Sequence, residues 1–269
     1  NQNPTKSQRE ILGALQVIYF SPEDLDLVRG EPTQRRDFLD KLLITRTPRF
    51  AGVISDYDRV VRQRNTLLKT RAPESSLAPW TEQLILLGAQ LTAERISLVE
   101  KLNLYVAAHY AKLNEVKAAS IAYKSSTDGL TTNTDSNIAI LTAKQKEVAH
   151  NESERGVSLI GPHRDDLHLH LGDFPAKGYA SHGESWSMAI SLRIGSFTLL
   201  RDEGSSPILI LDDIFAELDT ARRAQLVAIT HLAEQTFITA AVESDLPADL
   251  LTQRFYVTPG KVSREAGVL

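Results

Sequence analysis

The chain has 269 residues, is 42% hydrophobic, contains no cysteine and carries a net charge of −4. That is material for a large core and two sub-domains, and it excludes disulfides and thiolate metal sites. No apolar run approaches the roughly 18 residues of a membrane span and no secretory signal is visible, so a cytoplasmic protein is expected, and nucleic-acid binding would have to come from a local basic patch.

Residues 15–20 read as a strand, and Ser21 caps a short helix with Asp24 at the capping-box position. Helices then dominate from Pro32 to about Tyr123: one opens at Pro32, a second follows Thr47-Pro48, residues 71–79 form a break, and a long amphipathic helix starts near Thr81. Across residues 29–71, eleven basic residues stand against five acidic ones, a local balance of +6. Arg35, Arg36, Arg62 and Arg64 in that stretch are forked donors that suit phosphate oxygens. Nucleic-acid contact is the reading taken; the alternative is a solvated helical face laced with intrahelical ion pairs. Residues 125–137 are poor in apolar side chains and rich in turn formers, as in a mobile loop. A helix follows over 138–154. Beyond Val157 strands are expected near 157–160, 167–171, 208–211, 236–240 and 254–257, alternating with helices at about 184–201 and 220–234. No internal repeat is evident.

Two segments carry chemistry. Ile208-Leu209-Ile210-Leu211 is an unbroken apolar run set off by Pro207, the pattern of a strand covered on both faces, and it ends in Asp212 and Asp213. Adjacent carboxylates at a strand end repel unless a cation or ligand sits there, and this is how P-loop ATPases place magnesium and a water-activating base. The plainer alternative is an acidic turn before a helix N-terminus. Upstream, Ser181 is a good N-cap with Glu184 as its box partner, and Trp186, Ala189, Ile190, Ile194, Phe197 and Leu200 recur at helical spacing. A serine and Gly183 opening a helix present a hydroxyl and backbone N–H groups that suit a phosphate. By residue type, His163, Asp165, Asp166, His168 and His170 resemble metal ligands. Yet His168 and His170 alternate with Leu167, Leu169 and Leu171, which places them on the outer face of a strand. A structural ion-paired turn is preferred.

In this order, the helix-opening SHGE, the apolar-DD strand and the Glu217-Leu218-Asp219 turn resemble the signature motif, Walker B and D-loop of an ABC-type ATPase head. The finer resemblance is to the RecF family, in the SMC-like branch of that superfamily. It rests on FSPEDL (20–25), RRDFLD (35–40), RQRNTLLK (62–69) and GPHRDDL (161–167), which together with the head motifs span essentially the whole chain in the family's order. The resemblance implies an α/β, ABC-ATPase-like half-head with a large helical insertion: residues 1–20 end a preceding lobe, 21–154 form the insertion, and 155–269 form the C-terminal ATPase lobe. The family begins with a strand and a P-loop ahead of FSPEDL. None of the 14 glycines here lies in GxxxxGK[ST], so the chain is expected to be the C-terminal portion, unable to hydrolyse ATP alone.

For the intact protein the resemblance implies ATP and Mg2+ as cofactors. Asp212 would hold the metal through water and Asp213 would orient or deprotonate the attacking water. Ser181 and Gly183 of a second protomer, with Glu184 and Asp219, would complete the nucleotide site of an ATP-dependent homodimer. Thr239 is the polar candidate for the switch position. Implied DNA-binding residues are Arg35, Arg36, Arg62, Arg64, Lys69 and Arg164, the last in a rigid turn where it is either held by Asp165 or Asp166 or offered to DNA. Implied partners are DNA at single-stranded gaps, the mediators RecR and RecO, and the recombinase RecA, in replication, recombination repair and the SOS response, with no membrane. Two rival readings are a non-catalytic DNA-binding scaffold and a metal-dependent hydrolase built on the HRDD segment.

Overall fold

The computed structural model describes residues 13–114, 116–247, 250 and 253–264. Strand β1 (Val17–Phe20) leads through a turn, in which the Asp24 carboxylate accepts from Ser21 N–H at 3.2 Å, into α1 (Leu25–Arg29). Three helices follow: α2 (Pro32–Arg46), α3 (Phe50–Lys69) and α4 (Glu74–Ala111). The chain continues through β2 (Ala119–Lys124), α5 (Thr134–Arg155), β3 (Asp166–Leu171), β4 (Phe174–Pro175) and the single-turn α6 (Ala176–Tyr179). The last part holds α7 (His182–Asp202), β5 (Ile208–Asp212), α8 (Thr220–Thr230), β6 (Thr236–Thr239) and a hairpin of β7 (Tyr256–Thr258) and β8 (Lys261–Ser263).

The strands form a parallel sheet, β1-β5-β6, and an antiparallel one, β2-β3-β4, besides the hairpin. In the parallel sheet Phe20 lies opposite Leu211 and Asp212 opposite Thr239. One face, with Ile18, Phe20, Leu209 and Leu211, is buried in the core, whereas Tyr19 and Phe237 are exposed on the other. Helix α7 is the hub. Trp186, Met188, Leu192, Ile194, Phe197 and Leu200 are all buried, so it is covered nearly all round, with α4 against it. Burying one such side chain contributes about 1.5–3 kcal/mol, which outweighs the modest helix preference of its serines. The main hydrophobic core among the described residues extends from Ile18 through α2, α3, α4 and α7 to Leu250, so the helical segment and the α/β segment share it, and a smaller cluster of Ile85, Ala89, Leu141 and Ile160 lies between α4 and α5.

The helices expected at Pro32 and after Pro48 are present, but four readings need correction. The break at 71–79 shrinks, because α4 starts at Glu74 and contains Pro79. A proline so near a helix start removes only one backbone hydrogen bond. Residues 119–124 are strand β2 and not helix; their alternating burial follows the period-two pattern of Ala119, Ile121 and Tyr123. Residues 125–137 are tied down. Ser126 N–H donates to Asp165 at 2.7 Å, Asn133 caps α5, and the buried Asn137 carboxamide brackets the Thr131 backbone at 2.8 and 2.7 Å. No strand forms over 157–160, where side chains take up the backbone groups instead: Asn65 accepts from Ser158 N–H, and Glu152 from Leu159 N–H, each at 2.7 Å.

Candidate functional site

Strand β5 delivers Asp212 to the carboxyl end of the parallel sheet, between its two neighbours. Tyr19 O–H on β1 and Thr239 O–H on β6 each donate to one carboxylate oxygen of Asp212 at 2.5 Å. These bonds, Thr239's first and Tyr19's second, hold the Asp212 carboxyl below the usual carboxylate range. The same bond raises the Tyr19 phenol. The next residue leaves the sheet. Asp213 has φ of +52°, the left-handed region that aspartate tolerates better than most side chains. Its N–H is shared between the Thr239 carbonyl and hydroxyl, at 3.2 and 3.1 Å, and its exposed carboxylate accepts from Ala241 N–H at 3.3 Å. A magnesium ion bound with a nucleotide takes one or two carboxylates and completes its shell with phosphates and water. An ionised, half-exposed Asp212 with both oxygens oriented by hydroxyls fits that donor set.

The second cluster is the first turn of α7. Ser181 Oγ accepts from Glu184 N–H at 3.2 Å and the Glu184 carboxylate accepts from Ser181 N–H at 2.8 Å, completing the capping box. Lys117, reaching over at 2.6 Å, drives the Glu184 carboxyl down to about 2, with the Ser181 backbone contributing. Cations surround this turn. Arg29 Nε donates to Ser185 Oγ at 3.2 Å, and Arg222 Nη2 donates to the Gly183 carbonyl at 2.7 Å. Asp219 caps α8, accepting from Arg222 N–H at 3.0 Å, and its other oxygen takes the Arg222 guanidinium. A capped N-terminus with backbone N–H groups and a cationic rim favours an anion.

No family model matches the chain. Among curated proteins it is similar to the DNA replication and repair protein RecF of Rhodococcus erythropolis, with 46% identity over 297 aligned residues covering 98% of this chain and 73% of that one. The chain belongs to the RecF family. Solved RecF structures share its fold. One described as the recombination mediator RecF with ATP has a TM-score of 0.86 at 24% identity, over 99% of this chain and 72% of that one. A second, with ATPrS, gives 0.85 at 24% identity over 96% and 70%. The expected α/β half-head with a large helical segment is therefore the fold observed.

The segments 35–40, 62–69 and 161–167 are tied into the fold by polar contacts, several of them buried, which corrects two of the arginine assignments. Arg64, 1% exposed, is paired at 2.6 Å with Glu152, 0% exposed, and also donates to Ser158 and Thr81. Arg35, 5% exposed, grips both oxygens of Asp166 at 2.8 Å. Neither guanidinium can reach a phosphate, because both are spent inside the fold. Arg36 donates to the Asp165 carbonyl at 2.9 Å. Arg164 is exposed but turns back on the Ser158 carbonyl at 3.0 and 2.8 Å, so Asp166 is held by Arg35 and not by Arg164. Arg62 and Lys69 are exposed on α3 and, among the described residues, form no ion pair.

The HRDD turn is structural. Gly161, with φ of +111°, lies where a Cβ would sit 2.4 Å from the Tyr57 hydroxyl. That hydroxyl meets His163 Nδ1 at 2.7 Å, and burial lowers the His163 imidazole to about 4. Asp165 is enclosed by Tyr123 O–H, Ser125 O–H and Ser126 N–H. His168 and His170 face outward side by side on β3. Among the described residues no group of three or more His, Asp or Glu is arranged to hold a metal, so the hydrolase reading has no ligand set. Among the described residues no helix is long and apolar enough to cross a membrane. Sequence reasoning missed Tyr19, Lys117, Arg29 and Arg222. Only Tyr19 had a local signal, since alternation along β1 sets it opposite Ile18 and Phe20.

Proposed function

We propose that this chain is the nucleotide-closing and DNA-facing part of a RecF-type repair protein, in which ATP joins two copies on DNA. The observation that carries the reading is Asp212, held ionised between Tyr19 and Thr239 at the open end of a parallel sheet. The solved relatives bound to ATP and ATPrS support it. The β- and γ-phosphates need a backbone cradle and a lysine. These 269 residues contain no GxxxxGK[ST], so that cradle comes from a further segment. When bound, Mg2+ would neutralise developing charge on the phosphates, with Asp212 as its carboxylate partner. Tyr19 and Thr239 keep that carboxylate unprotonated and fixed in direction. Asp213, swung clear of the sheet, orients or deprotonates the attacking water. Ser181 and Gly183 of the second copy offer hydroxyl and N–H donors to the γ-phosphate, while Glu184 and Asp219 fix the two turns that flank it. Thr239 serves as the switch residue, because one hydroxyl touches both Asp212 and the Asp213 backbone.

In this reading residues 21–154 form the DNA-facing insertion, 155–269 the nucleotide-facing lobe, and 1–20 the end of the preceding lobe, of which 1–12 lie outside the described residues. Arg62 and Lys69 on α3 are the phosphate contacts, and Arg36 and Arg164 are secondary ones. Dimer closure at gapped DNA, with RecR and RecO as mediators that help load RecA, is the output.

The test is light scattering of the protein carrying its P-loop segment, with and without ATP, beside ATP hydrolysis by the 269-residue chain alone. The expected result is an ATP-dependent dimer that Ser181→Arg abolishes while ATP binding persists, and no turnover by the isolated chain. Mg2+-dependent turnover by the isolated chain that Asp212→Ala abolishes, or a DNA affinity and oligomeric state indifferent to ATP, would overturn the reading, the latter in favour of a non-catalytic scaffold.

A further inference from the structure

We propose that Arg222 is a positioning residue that locks the first turn of α7 to the Asp219 turn, so that the two nucleotide-facing surfaces behave as one body; this rests on the nucleotide site proposed above. One guanidinium makes three separate attachments. Nη2 donates to the Gly183 carbonyl at 2.7 Å, Nε donates to Ser187 Oγ at 3.1 Å, and Nη1 meets Asp219 Oδ2. The remaining Asp219 oxygen accepts the Arg222 backbone N–H at 3.0 Å. Asp219 is thereby held from both sides by one residue, and the same residue holds α7.

The geometry is specific to arginine. The guanidinium is a rigid planar fork with donors pointing in different directions, whereas a lysine ammonium is a point charge. Ser187 is fully buried, so the fork is anchored in the interior, while Asp219 and Ser181 stay exposed. The absence of a side chain at Gly183 is part of the device. A Cβ there would stand 2.9 Å from Arg222 Nη2 and would push the fork off the carbonyl it holds. Further along, Leu226 and Ile229 of α8 are buried in the shared core, so the helices stay packed without Arg222. Arg222 therefore sets the pose of the two N-terminal turns and not the attachment of α8.

The experiment compares wild type, Arg222→Ala, Arg222→Lys and Gly183→Ala in two measurements. Amide exchange of the nucleotide-free protein is followed over residues 183–187 and 219–223. All three variants are expected to speed exchange in both segments together, with the melting temperature nearly unchanged. In the protein with its P-loop segment, ATP-driven dimerisation is expected to weaken about ten- to a hundred-fold, the scale of lost charge-assisted hydrogen bonds, with monomer ATP affinity unchanged. If Arg222→Ala frees only residues 219–223, Arg222 merely caps α8 and the proposal falls. Wild-type exchange in Arg222→Lys would overturn the arginine-specific geometry. Should Arg222→Ala fail to fold, Gly183→Ala decides, since it keeps the charge and displaces the fork. Absence of any ATP-driven dimer in wild type would remove the nucleotide reading, and the exchange measurement would still decide whether the lock exists.

Discussion

The helical body and the carboxyl end of the parallel sheet both concentrate charge, but they use it in opposite ways. In the body charge is consumed internally: Arg64 meets Glu152, Arg95 meets Asp40 and Arg193 meets Asp24, each within 2.7 Å and mostly out of water. At the sheet end Asp213, Ser181 and Asp219 are exposed, and Asp212 has both oxygens bound by hydroxyls and not by a cation. A cation-paired group deep in a fold has its partner already. A carboxylate ordered by hydroxyls at a surface retains its charge for something else. The difference separates architecture from chemistry better than residue type does, since Arg35, Arg64 and Arg95 fall on the architectural side.

The largest expected effect tests the chemical side. Asp213→Asn in the protein with its P-loop segment keeps the shape and the Asp212 contact but removes the base, and should slow ATP hydrolysis by about 10²–10⁴-fold while ATP-driven dimerisation persists. Normal single-turnover rates would move the base elsewhere, with Glu217 on the exposed turn the next to substitute. On the architectural side, Arg64→Ala strands Glu152 in the interior and should destabilise the fold by about 3–5 kcal/mol in urea titration, the usual effect of unpairing a buried charge. A loss under 1 kcal/mol would mean that water replaces the guanidinium and that the body is not sealed as described.

The body also carries a pH signature. His109 and His163 are both lowered to about 4 chiefly by burial, against an ordinary value of 6.5. The unfolded state therefore binds these protons first. Stability from them is complete above the unfolded value and is lost as pH falls from 6.5 towards 4, by at most about 3 kcal/mol for His163. His163→Gln should flatten the melting-temperature profile in that window, and an unchanged profile would show that His163 titrates as it does in water. The smallest effect sharpens the boundary between the regions. Arg62→Ala and Lys69→Ala should each reduce the log–log salt slope of DNA binding by about one unit and leave the melting temperature within error. A fall in melting temperature with an unchanged slope would return α3 to the architectural side.

Much of the chemical end was legible because its signals are local. An apolar run ending in two aspartates and a capping box four residues long can be read without knowing the fold, and β5 and α7 appear where those patterns put them. The arginines were not legible. Arg35 finds Asp166 131 positions away and Arg64 finds Glu152 88 positions away, so no window of sequence reports that they are spent. Arg222 was invisible for a similar reason, and alternation gave only the face of Tyr19 and not its role, since both roles exist only once β1 and β5 pair and α8 returns to α7. β2 was misread although its alternation was present, because a helical reading of the preceding segment was carried too far.

The length of α4 has a mechanical consequence. At 38 residues it measures about 57 Å, and it is packed along α7, whose first turn carries Ser181. Two stiff rods fastened side by side cannot tilt independently, because close-packed interiors resist shear. A rotation of about 5° imposed at one end would sweep the far tip through about 5 Å, more than the rise of three residues along such a rod. The pair is thus one stiff body that joins the serine turn to the helical body, so the two ends cannot be re-posed separately.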